Sequence, residues 1–304
     1  MMNQPHSAAN EGAASASAAG RSLHERGIDL HLHSTFSDGV KTPEELCRMA
    51  RKAGVGILAL TDHDTAAGQS EMAHAAQENG LLLIPGVEVS TGESGNVHVL
   101  GYGNRIFGDE MTAFLNAVAS DRVNRARRII DRLMEEGIVI PEDRRTALLQ
   151  NPGVGRPHIA REMIALGAVS TVRQAFDRYL SRGKCAHVSR QLPSTGETVQ
   201  TMRRLGVAPV LAHPQKMEME YPALCAIVTE LKALGLMGLE AYHSSVNSRA
   251  ARQLDALARH SGLIVTGGSD YHGDPGSTVQ LGRLPSGWQH KDADVSALME
   301  AIQR

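Results

Sequence analysis

Short apolar runs alternate with amphipathic segments in the first hundred residues of the chain. The residues Thr42, Pro43, Glu44 and Glu45 supply the capping hydroxyl, early proline and early acids of a helix start. A second helix is predicted over 66–79, before Gly80. The apolar runs have the length and composition of buried strands. They predict strands over 28–33, 56–61, 81–89 (interrupted by Pro85-Gly86) and 97–102.

The same alternation returns in the last hundred residues. Strands are predicted over 207–212, 237–242 and 263–268, and helices over 222–234 and 247–260. Strands that alternate with helices of this length imply a parallel sheet. The pattern is compatible with either a closed barrel or an open, doubly wound sheet.

The segment 104–195 breaks this alternation. Its pattern is helical over 109–136, 158–166 and 172–180, and it contains the loop-forming run 151–155. We interpret 104–195 as an inserted, mainly helical subdomain that caps the substrate, and 23–103 with 196–304 as the main domain. The first 22 residues are rich in Ala, Ser and Gly and lack the apolar core of an export signal, so a disordered tail is predicted there.

The composition excludes several classes of protein. Hydrophobic residues make up 42% of the 304 positions and charged residues 21%, which is typical of a globular protein. The Phe, Tyr and Trp residues (4, 5 and 1) are too few for an extended single-strand stacking surface. Three widely spaced cysteines predict no disulfide framework and favour the cytoplasm, and no apolar run is long enough for a membrane helix.

Charge is unevenly distributed along the chain. The segment 104–195 has 15 Arg and Lys against 10 Asp and Glu, a balance of +5, which leaves −7 for the remainder of a chain whose total is −2. A basic cap over an acidic base suits a protein that gathers metal cations in the base and receives an anion in the cap. Solvated helix faces would explain most of these arginines equally well.

Histidines and carboxylates cluster where predicted strands end. His31 and His33 alternate on one strand, so both rings project from the same face and can bind one metal ion. In a parallel α/β barrel the carboxyl ends of the strands meet at one face, which would bring residues that are distant in sequence into one site. Further candidates at strand ends, or in the turns that follow, are Asp38, Asp62, His63, Asp64, Glu88, His98, His213, Asp270 and His272.

In this order, the motifs DxHxH, SDG, TDHD, PGVE, AHP and GSDYH resemble those of the PHP (polymerase and histidinol phosphatase) metal-dependent phosphoesterases. The resemblance covers roughly 28–103 and 207–285. It implies an α/β fold, a distorted (β/α)7 TIM-like barrel, with two or three divalent ions at the carboxyl ends of the strands.

Carried over residue by residue, the resemblance implies three metal sites. The ligands of the first would be His31, His33, Glu88 and Asp270, those of the second Glu88, His98 and His213, and those of the third Asp38, His63 and His272. Glu88, Asp270 and His213 are the candidate catalytic residues. Asp29, Asp62 and Asp64 are interpreted as partners that orient the ligating imidazoles or shape the field of the metals, with a substrate role open for Asp64.

The ligand types favour certain metals and a reaction. Mixed imidazole and carboxylate sites suit manganese, iron or zinc better than calcium or magnesium, and manganese is our first choice. Two adjacent cations can activate a water molecule for attack on phosphorus and offset the charge that develops on phosphoryl oxygens. A protein nucleophile is then unnecessary.

Basic residues in the insertion are candidates for binding a second phosphate. Arg156 and His158 stand where a helix begins, and Lys184 and Arg190 lie in the turn that leaves the insertion. The runs GRPHIAR and RYLSRGK resemble the family branch of nucleoside 3′,5′-bisphosphate phosphatases and 5′-to-3′ exoribonucleases. The chain departs from that branch at Gln215-Lys216, where Gly-Arg is common, and at His187, where a tyrosine is common.

Three hypotheses follow. The first is a phosphatase that converts nucleoside 3′,5′-bisphosphates into nucleoside 5′-monophosphates. The second is a 5′-to-3′ exonuclease on short, 5′-phosphorylated RNA or DNA, and histidinol phosphate is a weaker substrate candidate. The third is a non-catalytic module that binds metal for structure or for a protein partner, although such a module would be expected to lose ligands and none is missing here. The oligomeric state is left open.

Overall fold

The structure, a computed structural model, describes residues 27–92, 97–151, 153–189, 191–284 and 292–303. The predicted N-terminal tail (1–22) and Arg190 lie outside these ranges. The strands in the described part are β1 Gly27–Leu32, β2 Val55–Leu60, β3 Leu82–Leu83, β4 Gly86–Thr91, β5 Val97–Tyr102, β6 Ala208–Leu211, β7 Gly238–His243 and β8 Ile264–Gly268.

The helices begin with α1, whose start follows the sequence prediction: Thr42 Oγ1 accepts a hydrogen bond from Glu45 N, and the Glu45 side chain accepts one from Thr42 N. The sequence does not predict the helices over Glu142–Gln150, Thr195–Arg204 and Asp292–Gln303. Among the described helices, none is both long and apolar enough to cross a membrane. The α-helices of the described part are α1 Pro43–Ala53, α2 Gln69–Asn79, α3 Asp109–Glu135, α4 Glu142–Gln150, α5 Arg156–Ala165, α6 Val172–Ala175 continued by a π turn at Phe176–Leu180, α7 Thr195–Arg204, α8 Tyr221–Ala233, α9 Ser248–His260 and α10 Asp292–Gln303.

The strands form two sheets in the described residues. One has the order β1-β2-β3 and is parallel, and the other has the order β4-β5-β6-β7-β8. In the second sheet β4 pairs with β5, and β5 with β6, in antiparallel fashion, so the prediction of an all-parallel sheet is wrong there. Only five residues join Thr91 to Val97, which is too short for the crossover that parallel neighbours need.

Backbone hydrogen bonds join the edges of the two sheets. Asp270 N donates to His31 O at 2.9 Å, beside β1 and β8. At the other junction Glu88 N donates to Asp62 O at 3.2 Å, and Asp64 N donates to Glu88 O at 2.8 Å. The sheets found in the described part are small and do not form one closed sheet, so the (β/α)7 barrel stays a prediction.

The helical segment between β5 and β6 has a hydrophobic core of its own. Ile130, Leu133, Ile159 and Met163 are fully buried members of this cluster. The first half of α3 packs elsewhere: Met111 and Leu115 belong to the core beneath β4–β8. Helix α3 therefore joins the two parts of the molecule. The domain boundaries at 104 and 195 remain a prediction.

The close approach of β8 to β1 leaves no room for a side chain at Gly268. A Cβ atom at Gly268 would lie 2.2 Å from His31 Cβ and 2.5 Å from His31 N. Gly268→Ala should therefore lower the free energy of unfolding by about 1–3 kcal/mol, the usual cost of overpacking, measured by urea denaturation of purified protein.

Gly196→Ala is the matched control. At Gly196, in α7, an added Cβ would meet only the flexible end of Leu234 at 2.8 Å, and alanine favours a helix over glycine by roughly 1 kcal/mol. If Gly268→Ala unfolded at the same urea concentration as the unsubstituted chain, the tight β1–β8 contact would be refuted.

Candidate metal centre

The site starts from the alternation of side chains on β1. His31 and His33 are two positions apart, so their rings lie on the same side of the strand, with centroids 5.1 Å apart. Both side chains are completely buried. The structure thus places two imidazoles together beneath the loops that follow β1, as the sequence predicts.

Glu88, on β4, lies at the centre of the cluster. Its Oε2 atom is 3.2 Å from Nε2 of both His31 and His33, and 3.0 Å from His63 Nδ1. Its Oε1 atom is 2.8 Å from His98 Nδ1 and 3.0 Å from His213 Nε2. One buried carboxylate therefore contacts five imidazoles from four segments of the chain.

Asp270, just after β8, is the second carboxylate of the cluster. Its Oδ1 atom lies 3.2 Å from His33 Nε2 and 3.5 Å from His31 Nε2. The opposite oxygen, Oδ2, accepts hydrogen bonds from Lys216 Nζ at 2.7 Å and from His243 Nε2 at 3.2 Å. The two oxygens of Asp270 therefore face different partners.

Asp38 gathers a third group in the turn after β1. Its carboxylate lies 3.1 Å from His272 Nε2 and 3.8 Å from His63 Nε2. The structure thus brings all nine residues that the sequence proposes as ligands into one continuous cluster. Two groups of residues each have ring nitrogens and carboxylate oxygens close enough together to hold one ion. The first group is His31, His33, Glu88 and Asp270. The second group is His33, Asp38, His63 and His272.

Backbone strain concentrates at this cluster. In the described part of the chain four non-glycine residues have positive φ, and three of them are Asp64 (57°), His213 (26°) and Asp270 (55°). Such conformations cost about 1–3 kcal/mol each and persist where the surroundings enforce them. The strain therefore coincides with the residues that the sequence selected for chemistry.

The surroundings shift the pKa values of the cluster in opposite directions. Burial by itself raises the pKa of Glu88, but the charges of His98, His63 and His31 hold it well below its usual range. Burial and the charge of Lys216 lower the pKa of His213 to about 4. Burial also lowers the pKa of His272, but Asp38 and Asp270 outweigh it and raise the value to about 10. The site therefore favours ionised carboxylates at neutral pH.

The three further aspartates order the loops that carry the imidazoles. Asp29 accepts hydrogen bonds from Ser269 N and Gly282 N at 2.8 and 2.7 Å. Asp62 accepts one from Ser37 Oγ at 2.6 Å, and that hydroxyl lies 3.5 Å from His33 Nδ1. The contact of Asp62 with His33 thus runs through a serine.

Asp64 links the cluster to the helical segment. Arg122, on α3, donates from Nε and Nη2 to Asp64 Oδ2 at 2.9 and 2.6 Å, and from Nη2 to Ser90 Oγ at 3.1 Å. Asp64 Oδ1 accepts a hydrogen bond from Ser90 N at 2.7 Å. These bonds fix the Arg122 guanidinium beside the cluster.

Sequence reasoning missed Glu240, His243 and Arg122 as parts of this site. His243 ends β7, so the argument from strand ends that selected His213 could have found it, whereas Glu240 lies inside the strand, where no motif marks it. Arg122 has no such signal, because it is one of many arginines on a long amphipathic helix.

A cleft with a cavity volume of about 130 Å³ lies between the cluster and the helical segment. Its walls include Asp38, His63 and His98 on one side and the arginines Arg122, Arg125 and Arg156 on the other. The Arg156 guanidinium lies 5.3 Å from the centre of the Phe176 ring. Positive side chains thus face the carboxylates and imidazoles across one space.

The other proposed substrate residues are placed differently. His158 Nδ1 accepts a hydrogen bond from Gly155 N at 3.2 Å, a contact at the start of its own helix. Lys184 is exposed in the turn after the π turn. Arg190 lies outside the described residues. Substrate roles for His158 and Lys184 stay predictions.

Comparisons with known proteins agree with the geometry. Residues 29–154 match the model of the PHP domain. A 5′-3′ exoribonuclease of Haemophilus influenzae is 37% identical over 84% of this chain and 93% of its own length. A 3′,5′-nucleoside bisphosphate phosphatase of Chromobacterium violaceum is 34% identical over 81% of this chain and 87% of its own length.

A solved structure is also similar to this chain. A Bifidobacterium adolescentis protein described as a metal-dependent phosphoesterase has a TM-score of 0.78 and 30% identity, covering 91% of this chain and 96% of its own. These similarities span nearly the whole of both chains in each case. The motifs at the strand ends, the clustered imidazoles and carboxylates, and these relatives together show that the chain belongs to the PHP family of metal-dependent phosphoesterases, hydrolases that act on phosphoester bonds.

Proposed function

We propose that this hydrolase removes the 3′-phosphate of nucleoside 3′,5′-bisphosphates and leaves a nucleoside 5′-monophosphate and inorganic phosphate. The observation that carries the proposal is the cleft in which three arginines face the Glu88 cluster. A substrate with two phosphates can place one at the cluster and the other among the arginines. One relative is named for this activity.

The atoms of the cluster fit divalent cations. Among the buried side-chain nitrogen and oxygen atoms of the described part that have no hydrogen-bond partner, five lie at the cluster: His31 Nε2, His33 Nε2, Asp38 Oδ1, His63 Nδ1 and Glu88 Oε2. Buried polar atoms without partners are rare, and metal ligation would satisfy these. Mixed nitrogen and oxygen donors suit manganese first, with iron or zinc as alternatives.

The distances support the three ligand sets that the family resemblance implies. The first set is His31, His33, Glu88 and Asp270; the second is Glu88, His98 and His213; the third is Asp38, His63 and His272. Two or three ions would then be neighbours, because Glu88 belongs to two sets and His33 and His63 contact both Glu88 and Asp38. Divalent cations in such sites supply Lewis-acid activation of water and of the phosphoryl group.

The protein contributes orientation and charge. Glu88, Asp270 and His213 are the proposed catalytic residues, and Glu88 is fully buried. Arg122 is held by Asp64 and Ser90 at the edge of the cluster, where it can neutralise a phosphoryl oxygen. Arg156 begins α5, so its guanidinium and the helix N-terminus both favour an anion in the cleft.

The proposed architecture is a distorted (β/α)7 barrel capped by the helical segment 104–195. The hydrogen bonds that join β1 to the residues after β8, and β4 to the residues after β2, support a ring of strands. In such a ring the loops after the strands share one face, where the cluster lies.

An exonuclease activity on short 5′-phosphorylated RNA or DNA is the second candidate. The similarity to a 5′-3′ exoribonuclease favours it, and the reaction would use the same cluster. A non-catalytic module is disfavoured because all nine proposed ligand positions hold ligating side chains.

A substrate panel separates the two candidates. With added Mn²⁺, purified protein should release phosphate from adenosine 3′,5′-bisphosphate much faster than it degrades 5′-phosphorylated RNA or DNA oligonucleotides. Phosphate is measured colorimetrically and the oligonucleotides by gel electrophoresis. No release from the bisphosphate with Mn²⁺, Fe²⁺ or Zn²⁺ would contradict the phosphatase proposal, and efficient oligonucleotide digestion would favour the exonuclease.

Glu88→Gln should strongly reduce turnover. The substitution removes the negative charge that five imidazoles surround, and the loss of Lewis-acid stabilisation worth several kcal/mol corresponds to roughly a 10²–10⁴-fold lower kcat/KM. Steady-state phosphate release measures it. Glu135→Gln, an exposed glutamate at the end of α3, is the control and should leave turnover unchanged. Normal turnover in Glu88→Gln would refute the assignment.

Arg156→Met should weaken binding of the second phosphate. The loss of charge-assisted hydrogen bonds worth about 1.5–3 kcal/mol should raise KM for adenosine 3′,5′-bisphosphate about 10–100-fold. KM for adenosine 3′-monophosphate should change little. The control is Arg173→Met, whose side chain is 91% exposed. Equal effects of Arg156→Met on both substrates would show that Arg156 does not bind the second phosphate.

A further inference from the structure

Strand β7 carries two buried polar residues that are not among the nine proposed ligands. Glu240 and His243 are each 1% exposed, and they come from one strand, three positions apart. Both contact residues of the metal cluster, so they lie behind the proposed ligands.

Glu240 contacts two proposed ligands from two different metal sites. His31 Nδ1 lies 2.9 Å from Glu240 Oε1, and an ionised carboxylate can only accept, so Nδ1–H is the donor. A neutral imidazole with hydrogen on Nδ1 has its free lone pair on Nε2. That atom is the one that lies 3.2 Å from Glu88 Oε2, inside the cluster.

The other oxygen of Glu240 stabilises a strained turn. Glu240 Oε2 accepts a hydrogen bond of 2.7 Å from the backbone N–H of His213. His213 has a φ of 26°, a conformation that non-glycine residues rarely adopt. The same carboxylate therefore sets the tautomer of His31 and the backbone from which His213 reaches Glu88.

The protonation of the His243 ring also follows from its neighbours. The backbone N–H of Ser245 donates to His243 Nδ1 at 3.0 Å, so Nδ1 carries no hydrogen. The hydrogen of the neutral ring is then on Nε2, which lies 3.2 Å from Asp270 Oδ2. His243 thus donates to the oxygen of Asp270 that faces away from His33, and Oδ1 is left to face the imidazoles.

We propose that Glu240 and His243 are positioning residues, which fix the metal-facing atoms of His31, His213 and Asp270. The inference rests on the proposed metal sites but not on the identity of the substrate. It also explains why two polar side chains are buried on β7, where burial without hydrogen-bond partners would be costly.

An alternative use of the same atoms is a cation site. His31, Glu240 and His243 are close enough to share one ion. That ion would need the lone pair of His31 Nδ1, so this ring could no longer donate to Glu240. The hydrogen bond from His31 to Glu240 and an ion at His31, Glu240 and His243 therefore exclude each other, and they predict different numbers of bound ions.

The test measures metal binding rather than turnover. Full-length protein stripped with a chelator is titrated with Mn²⁺ by calorimetry, and bound metal is counted by mass spectrometry. Glu240→Gln leaves one acceptor oxygen for two N–H donors, so Mn²⁺ affinity should fall about 10–100-fold. The number of ions at saturating Mn²⁺ should be unchanged, and high Mn²⁺ should restore kcat with KM unaltered.

His243 offers a matched pair of variants. His243→Gln can keep an N–H donor near the position of Nε2 and should bind Mn²⁺ almost as the unsubstituted chain does, whereas His243→Leu should bind about 10–100-fold more weakly. Circular dichroism of the metal-free proteins checks folding. If Glu240→Gln does not fold, the His243 pair still decides.

Three results would overturn the proposal: unchanged Mn²⁺ affinity in both Glu240→Gln and His243→Leu, equal affinities in the two His243 variants, or the loss of one ion per chain in Glu240→Gln at saturating Mn²⁺. The last result would indicate a cation site at His31, Glu240 and His243. Failure of the bisphosphate assay would leave the metal titrations interpretable, so the two proposals fail separately.

Discussion

The rest of the site depends on the burial of one carboxylate among five imidazoles. Glu88 is completely buried, and a lone charge there would be expensive to remove from water. Imidazoles from β1, β5 and the loops after β2 and β6 surround it, so its charge is offset from several directions. Atoms that have no hydrogen-bond partner point into the same space. Cations between these groups would satisfy both the charge and the partnerless atoms.

The fold surrounds Glu88 by bringing distant chain segments close together. The β4–β5 hairpin places Glu88 and His98 on neighbouring strands. The contact of Gly268 with β1 brings Asp270 within reach of His31 and His33. The helical segment contacts the loops beside the cluster: Arg122 donates to Asp64, and Arg161 Nη2 donates to Asp38 O at 2.9 Å. The helical segment is therefore attached to the loops that carry the cluster, and it places arginines in the same cleft as Asp38, His63 and His98.

Much of this arrangement could be predicted from the sequence, for a physical reason. Strand periodicity fixes the face of His31 and His33, and the ends of strands in an α/β fold converge, so motifs after each strand identify the cluster. The antiparallel pairing of β4 with β5 was missed, although the short connection between them implied it. Glu240 was missed because a glutamate inside a strand has no motif. Arg122 could not be found, because its partner Asp64 is 58 positions away in sequence.

The most direct test of the account is a crystal structure of the protein grown with Mn²⁺ and recorded at a wavelength where manganese scatters anomalously. The account predicts at least two neighbouring anomalous peaks, one on each side of the Glu88 carboxylate, with imidazole nitrogens at bonding distance. Peaks elsewhere, or full-occupancy Mn²⁺ bound without Glu88, would contradict it.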